Sequence, residues 1–128
     1  MLSTAEAIAT VGVRDIAKAR EFYGTVLGLQ EGDAGDCTQG EVLSFRSGNS
    51  RIYVYHSDYA GTNQATAITW DVGERIGEIV GALKQKGARF EHYSLDGMRL
   101  EGDIHVGESM KVAWLKDPDG NVLSIAGR

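Results

Sequence analysis

One cysteine, one proline, no long apolar run and no excess of basic charge bound this 128-residue chain before any motif does. Cys37 stands alone, so an intrachain disulfide is impossible and a reducing compartment fits. It sits beside Asp36 in an acidic stretch and lacks the electropositive surroundings that make a thiolate nucleophile. No apolar run approaches about 18 residues, the length at which a helix begins to span a bilayer. No basic segment followed by an apolar core opens the chain, so no secretory leader is expected. Lysine and arginine together number 13 against 18 aspartates and glutamates, a net charge of -5. That balance argues against a general nucleic-acid binder, which needs a basic patch to displace counterions. Neither a Gly-x-Ser-x-Gly elbow nor a phosphate-binding glycine loop occurs. The expectation is a soluble, cytoplasmic protein with neither a nucleic-acid nor a membrane partner.

What is present is enough for a packed domain. Hydrophobic content of 42% and charged content of 24% exclude disorder as the default. A chain this long buries about two-thirds of its unfolded surface without staples. The most legible stretch is Lys111–Ile125, KVAWLKDPDGNVLSI. Asp117, Pro118, Asp119 and Gly120 suit a four-residue turn, because Asp caps locally, Pro fixes φ and Gly accepts the left-handed conformation. The flanks are apolar and β-prone, so the turn joins two antiparallel strands.

Earlier in the chain, Ala7–Val13 reads as a buried strand. Asp15 then caps a helix whose apolar residues Ile16, Ala19, Phe22, Tyr23, Val26 and Leu27 recur at helical spacing, with Gly28 as its left-handed end. Residues 31–40 read as a loop. Val42–Arg46 and Arg51–His56 are strands joined by Ser47, Gly48, Asn49 and Ser50. Asp58–Gln64 is polar and serves as a linker. The pattern then restarts: strand Thr66–Val72, helix Glu74–Lys86 with Ile76, Ile79, Val80 and Leu83 on one face, its C-cap at Gly87, and strand Arg89–Tyr93. A long loop over Ser94–Ser109 and the closing hairpin finish the second unit. Strand-helix-strand-strand-strand therefore occurs twice.

The segment VRDIAKAREFYGTVLGLQ and the DPDGN hairpin together resemble the glyoxalase/bleomycin-resistance/extradiol-dioxygenase superfamily, the vicinal oxygen chelate fold. The resemblance implies an α+β protein in which two βαβββ modules form a curved mixed sheet around a cleft, with helices on the outer faces. It implies a single domain over 1–128, with module one over about 6–58, a linker over about 59–64 and module two over about 65–128. Strand alternation assigns faces. Ala9, Val11, Val13, Ile52, Val54, Ile68, Trp70, Val72, Leu123 and Ile125 go to the helices. Tyr53, Tyr55, Ala67, Thr69, Asp71 and Ser124 go to the cleft. Alternation leaves the side taken by Trp114 open.

Metal-dependent members of this superfamily place a His, Glu or Gln on each of four strands around a divalent ion. The equivalent positions here fall at or beside Ile8, Tyr53 (or Val54), Ala67 and Ser124, so the resemblance implies no metal site and no cofactor. His56, His92 and His105 share no strand and no helical pairing, and the run Glu101, Asp103, His105, Glu108 reads first as an exposed acidic edge. Covalent catalysis has no candidate. Asp71 is either a base or cation site in the cleft, or a strand-end residue capping the next helix.

Two functions follow. In the first, the chain is a metal-independent binding protein, similar to the drug-sequestering bleomycin-resistance branch, which holds bulky, flat and often cationic compounds. Its ligand-binding residues would be Tyr53, Tyr55, Ala67, Thr69, Asp71, Trp114 and Ser124, with no catalytic residues. In the second, it is a lyase, isomerase or dioxygenase of the same superfamily, using displaced ligands such as His56, His105 or Glu108, or acid/base chemistry at Asp71. Sheet edges that need covering, and the pairing of modules in this superfamily, imply a homodimer.

Overall fold

The computed structural model describes residues 1–32 and 42–128. These fall into two compact units, Met1–Thr62 and Asn63–Arg128. After a short 3-10 turn at Leu2–Thr4 the first unit runs β1 (Ala9–Val13), α1 (Ile16–Arg20), β2 (Gln30–Gly32), β3 (Val42–Ser47) and β4 (Ser50–His56). Its sheet has the order β1-β4-β3-β2 with β1 parallel to β4. The second unit runs β5 (Thr66–Gly73), α2 (Ile76–Gln85), β6 (Phe90–Glu91), β7 (Arg99–Glu101), β8 (Ile104–Val106), β9 (Lys111–Lys116) and β10 (Val122–Gly127). There β5 lies parallel to β10, β10 antiparallel to β9, and both β6 and β8 pair with β9. Each unit is thus a βαβββ module, and the second carries an extra hairpin between its second and third strands. The α+β reading of the sequence holds.

The helices form where expected. Asp15 caps α1 by accepting the Lys18 amide at 3.0 Å. From Glu21 to Val26 the helix widens into π-helical turns, with the Leu27 amide reaching the Phe22 carbonyl five residues back, and it stops at Gly28 with φ of 75°. Ala19, Phe22 and Tyr23 are buried with Phe45, Ile52 and Val54 of the sheet. In the second unit Ile76, Val80 and Leu83 of α2 are buried with Ile68, Ala113, Leu115, Leu123 and Ile125. Helical spacing and strand alternation therefore meet across one core in each unit.

Several boundaries differ from the sequence reading: β1 starts at Ala9 rather than Ala7 and α2 spans Ile76–Gln85 rather than Glu74–Lys86. The Ser94–Ser109 stretch is not a plain loop, because β7 and β8 pair across a two-residue Gly102-Asp103 turn with Gly102 at φ of 63°. Strand β6 covers only Phe90–Glu91 rather than Arg89–Tyr93, since the Tyr93 amide leaves the ladder to donate to His105 Nε2 at 2.9 Å. Of the loop expected over 31–40, Glu31 and Gly32 belong to β2 instead, and the other residues of that expectation, Cys37 included, lie outside the described residues.

The closing turn is built on one carboxylate. Asp117 is 4% exposed, and its Oδ1 accepts the amides of Asp119 and Asn121, both at 2.9 Å. Its Oδ2 accepts the Asn121 side-chain amide at 2.8 Å, while Gly120 takes φ of 94°. The expected turn forms, with Asp117 as its hub.

Candidate functional site

In each unit the sheet face turned away from the helix carries the polar and aromatic side chains. In the first unit Tyr53 and Tyr55 lie on that face, flanked by buried Ile52 and Val54 on the other. Tyr53 stands in register between Thr10 of β1 and Ser44 of β3, and the Arg51 guanidinium lies 5.9 Å from the centre of its ring. Tyr55 faces Gly12, where an added Cβ would come within 2.9 Å of Ser57. Ser57 fills the place a side chain would take, so glycine is required there by close approach.

The second unit answers the question about Trp114. Ser124 pairs with Trp114 on one side and with Thr69 on the other, so all three side chains share the face away from α2. The Thr69 and Ser124 hydroxyls lie 2.7 Å apart, and Trp114 Nε1 donates to Thr66 Oγ1 at 3.2 Å. Strict alternation would put Thr66 on the helix side with Ile68. A bulge inserts Ala67 between them, because Val122 pairs with Thr66 and Leu123 with Ile68. The bulge leaves Ala67 exposed and turns Thr66 toward the indole. Asp71 is exposed at the end of β5, where its Oδ1 accepts the Gly73 amide at 3.0 Å. It fixes the strand end locally; α2 starts later, with Arg75 as its N-cap.

Sequence reasoning missed the cluster behind Trp114. His105 of β8 is 1% exposed, with its ring 4.9 Å from the indole and edge-on to it. Its Nε2 accepts the Tyr93 amide, so the ring proton sits on Nδ1 and is donated to the Val112 carbonyl at 3.2 Å. The Tyr93 ring stacks on His105 at 6.1 Å and meets Trp114 edge-on at 5.3 Å. His92 comes within 6.4 Å of His105, although nothing in their spacing pairs them. The Gly102-Asp103 turn was the available signal, because it folds β8 back onto β7 and along β9, the strand that β6 also joins.

The acidic run does not converge. Asp103 binds His92 Nε2 at 2.8 Å and Lys84 Nζ at 2.9 Å, and these two groups, His92 foremost, hold its carboxyl below the usual carboxylate range. Glu101 pairs with Arg99, His105 is spent on backbone groups, and Glu108 is exposed. His56 is exposed at the end of β4. Among the described residues no three His, Cys, Asp or Glu side chains stand together as metal ligands would. Among the same residues no helix is long and apolar enough to cross a membrane.

Comparison with known proteins gives the fold a context. A glyoxalase/bleomycin-resistance/dioxygenase structure from Alicyclobacillus acidocaldarius superposes with a TM-score of 0.70 at 18% identity, over 97% of this chain and 91% of that one. A genomically encoded fosfomycin resistance protein from Listeria monocytogenes gives 0.66 at 16%, over 100% and 93%. An antibiotic binding protein from a Streptomyces species gives 0.68 at 17%, over 99% and 98%. Identities this low speak for the fold alone. No curated protein matches. The model of the Glyoxalase/Bleomycin resistance protein/Dioxygenase superfamily, however, matches residues 7–125, nearly the whole chain, and on that ground the chain belongs to this superfamily.

Proposed function

We propose that the chain is a small-molecule-binding member of its superfamily, acting as one domain over 1–128 with modules over about 6–58 and 65–128 joined by about 59–64. It takes flat, aromatic and often cationic compounds on the sheet faces turned away from the helices. The observation that carries this reading is the second unit's face, where Thr69, Ser124 and Trp114 stand side by side in register. An indole braced by Thr66 is a stacking surface, and the hydroxyl pair beside it offers hydrogen bonds. In the first unit Tyr53 and Tyr55 supply the equivalent aromatic surface. Asp71, exposed at the rim, favours a positive charge on a ligand at the second unit's face.

The donor chemistry supports binding over metal-assisted catalysis. Of the four positions where metal-dependent relatives carry ligands, Ile8 and Ala67 have no donor atom, Tyr53 (or Val54) offers at most a phenol, and the Ser124 hydroxyl is shared with Thr69. Such a set does not suit a hard divalent ion, which calls for carboxylate, amide or imidazole donors. The fosfomycin-resistance and antibiotic-binding roles of two proteins with this fold are consistent with the reading.

A thermal-shift screen of flat aromatic compounds, with and without a positive charge, tests it. A compound at about 100 times its dissociation constant adds about 2.7 kcal/mol to stability. Trp114→Ala should weaken all hits at the second unit's face, and Tyr53→Ala/Tyr55→Ala all hits at the first. Asp71→Asn should weaken only the cations. Hits left untouched by all three variants would overturn the assignment.

A further inference from the structure

Beyond those faces the second unit holds a separate cavity of about 400 Å³ under the β7–β8 hairpin, lined by His92, Tyr93, Ser94, Leu95, Met98 and Arg99, with Leu100 and His105 completing it. Its size lies in the range of small-molecule pockets. One wall is a rigid aromatic platform. Tyr93 is 39% exposed, yet its amide is held by His105, the buried His105 ring backs it, and Trp114 packs edge-on against it. Its other face is open to a ligand at little ordering cost. Leu95 and Leu100 are exposed on the same cavity, an arrangement that invites an apolar body between them and the ring.

The polar part of the lining has one character. In a chain of net charge -5, no carboxylate is found among the described residues lining this cavity. Its polar groups are the Arg99 guanidinium, the Ser94 hydroxyl, the Tyr93 phenol and two imidazoles. The nearby Asp103 is turned to His92 and Lys84, and Glu101 to Arg99. Both His105 nitrogens are bound to backbone and His92 Nε2 to Asp103, so the remaining N–H groups of Arg99 and the Ser94 and Tyr93 hydroxyls are the donors beside the apolar slot, and they suit a ligand that brings the negative charge itself.

We propose that this cavity binds a small flat aromatic acid, stacked on Tyr93 between Leu95 and Leu100 with its carboxylate toward Arg99 and Ser94. Trp114 braces Tyr93 and so touches both readings, but Tyr93→Ala and Leu100→Ser separate them. Calorimetric titration of the intact protein with 2-naphthoate, beside its amine analogue 2-naphthylmethylammonium, tests it. The acid should bind at one site per chain, more tightly than the amine. Tyr93→Ala keeps the backbone amide that His105 accepts, so the cluster stays folded while affinity falls about tenfold, the upper end of one aromatic contact. Leu100→Ser, on an exposed strand position, should weaken both compounds, and Arg99→Ala should erase the preference for the acid. Circular dichroism verifies the fold of each variant. No naphthoate binding at millimolar concentration would overturn the proposal, as would affinity unchanged in Tyr93→Ala and Leu100→Ser. Loss in Tyr53→Ala/Tyr55→Ala with Tyr93→Ala unaffected would place the ligand on the first unit and overturn it equally.

Discussion

Asp117 and Asp103 are both carboxylates in tight turns, yet their surroundings give them different consequences. Asp117 is buried and accepts two backbone amides and one side-chain amide. Asp117→Ala strands those donors out of water, and each unsatisfied buried group costs about 1–3 kcal/mol. A drop of at least about 2 kcal/mol in urea unfolding is expected, and a change within error would show that the turn is held by its backbone alone. Asp103 acts instead through pH. Its folded-state carboxyl is lowered from 3.8, first by the His92 hydrogen bond and then by Lys84. The stabilisation is therefore fully present above 3.8 and disappears as pH falls through the lower folded value. The margin in melting temperature of the native protein over Asp103→Asn should be present at about pH 5 and shrink toward about pH 2; a margin unchanged between those values would refute this. Lys84 and His92 are largely exposed, so the effect is small. At this scale the sequence was half legible. Asp15, Gly28, Gly87 and the DPDGN turn declare themselves by local chemistry, since each satisfies or bends its own backbone. The His105–Tyr93 bond does not, because it joins residues twelve apart in chain through a hairpin no periodicity announces.

Elements packed through glycine show where close approach is built in and where it is incidental. At Gly127, in β10, an added Cβ would lie against the Gly73 carbonyl, closer than any real contact, and 2.9 Å from Ile76 Cβ. The start of α2 is thus seated directly on the end of β10, and Gly127→Ala must push the two apart. We expect it to lower stability by about 1–3 kcal/mol, the usual cost of overpacking. Gly81 is the contrast. It is exposed inside α2, and a Cβ added there would meet nothing within 4 Å, so Gly81→Ala should add about 0.5–1 kcal/mol by helix propensity alone. Paired thermal melts check both signs, and equal shifts in the two variants would contradict the packing. The same contrast governs what could be read in advance. Faces of β4 and β5 were legible because Ile52/Val54 and Ile68 alternate with polar or phenolic neighbours. Trp114 was not, since its strand offers apolar residues on both sides, Val112 and Trp114 against Ala113 and Leu115. Strict alternation cannot place Thr66 either, because one inserted residue reverses a face without altering composition.

For the whole molecule, β1 and β5 each end a sheet, and among the described residues neither pairs on its outer edge. Exposed edges of this kind are commonly covered in an assembly, and we predict a homodimer. Light scattering at micromolar concentration should return twice the chain mass of 13.8 kDa, and a value at the chain mass would refute the prediction. The order of strands also bears on how the protein is made. In both units the last strand of the module is central, lying between the first and third. The first unit has every strand of its sheet once His56 has left the ribosome. The second stays open until residues 122–127 emerge, with β5 and β9 waiting on either side of an empty place. During synthesis a finished half therefore travels with an unfinished one. Any pause after Asn121 leaves β5 without a partner and β9 open on one edge, a window in which another nascent chain can supply the missing strand.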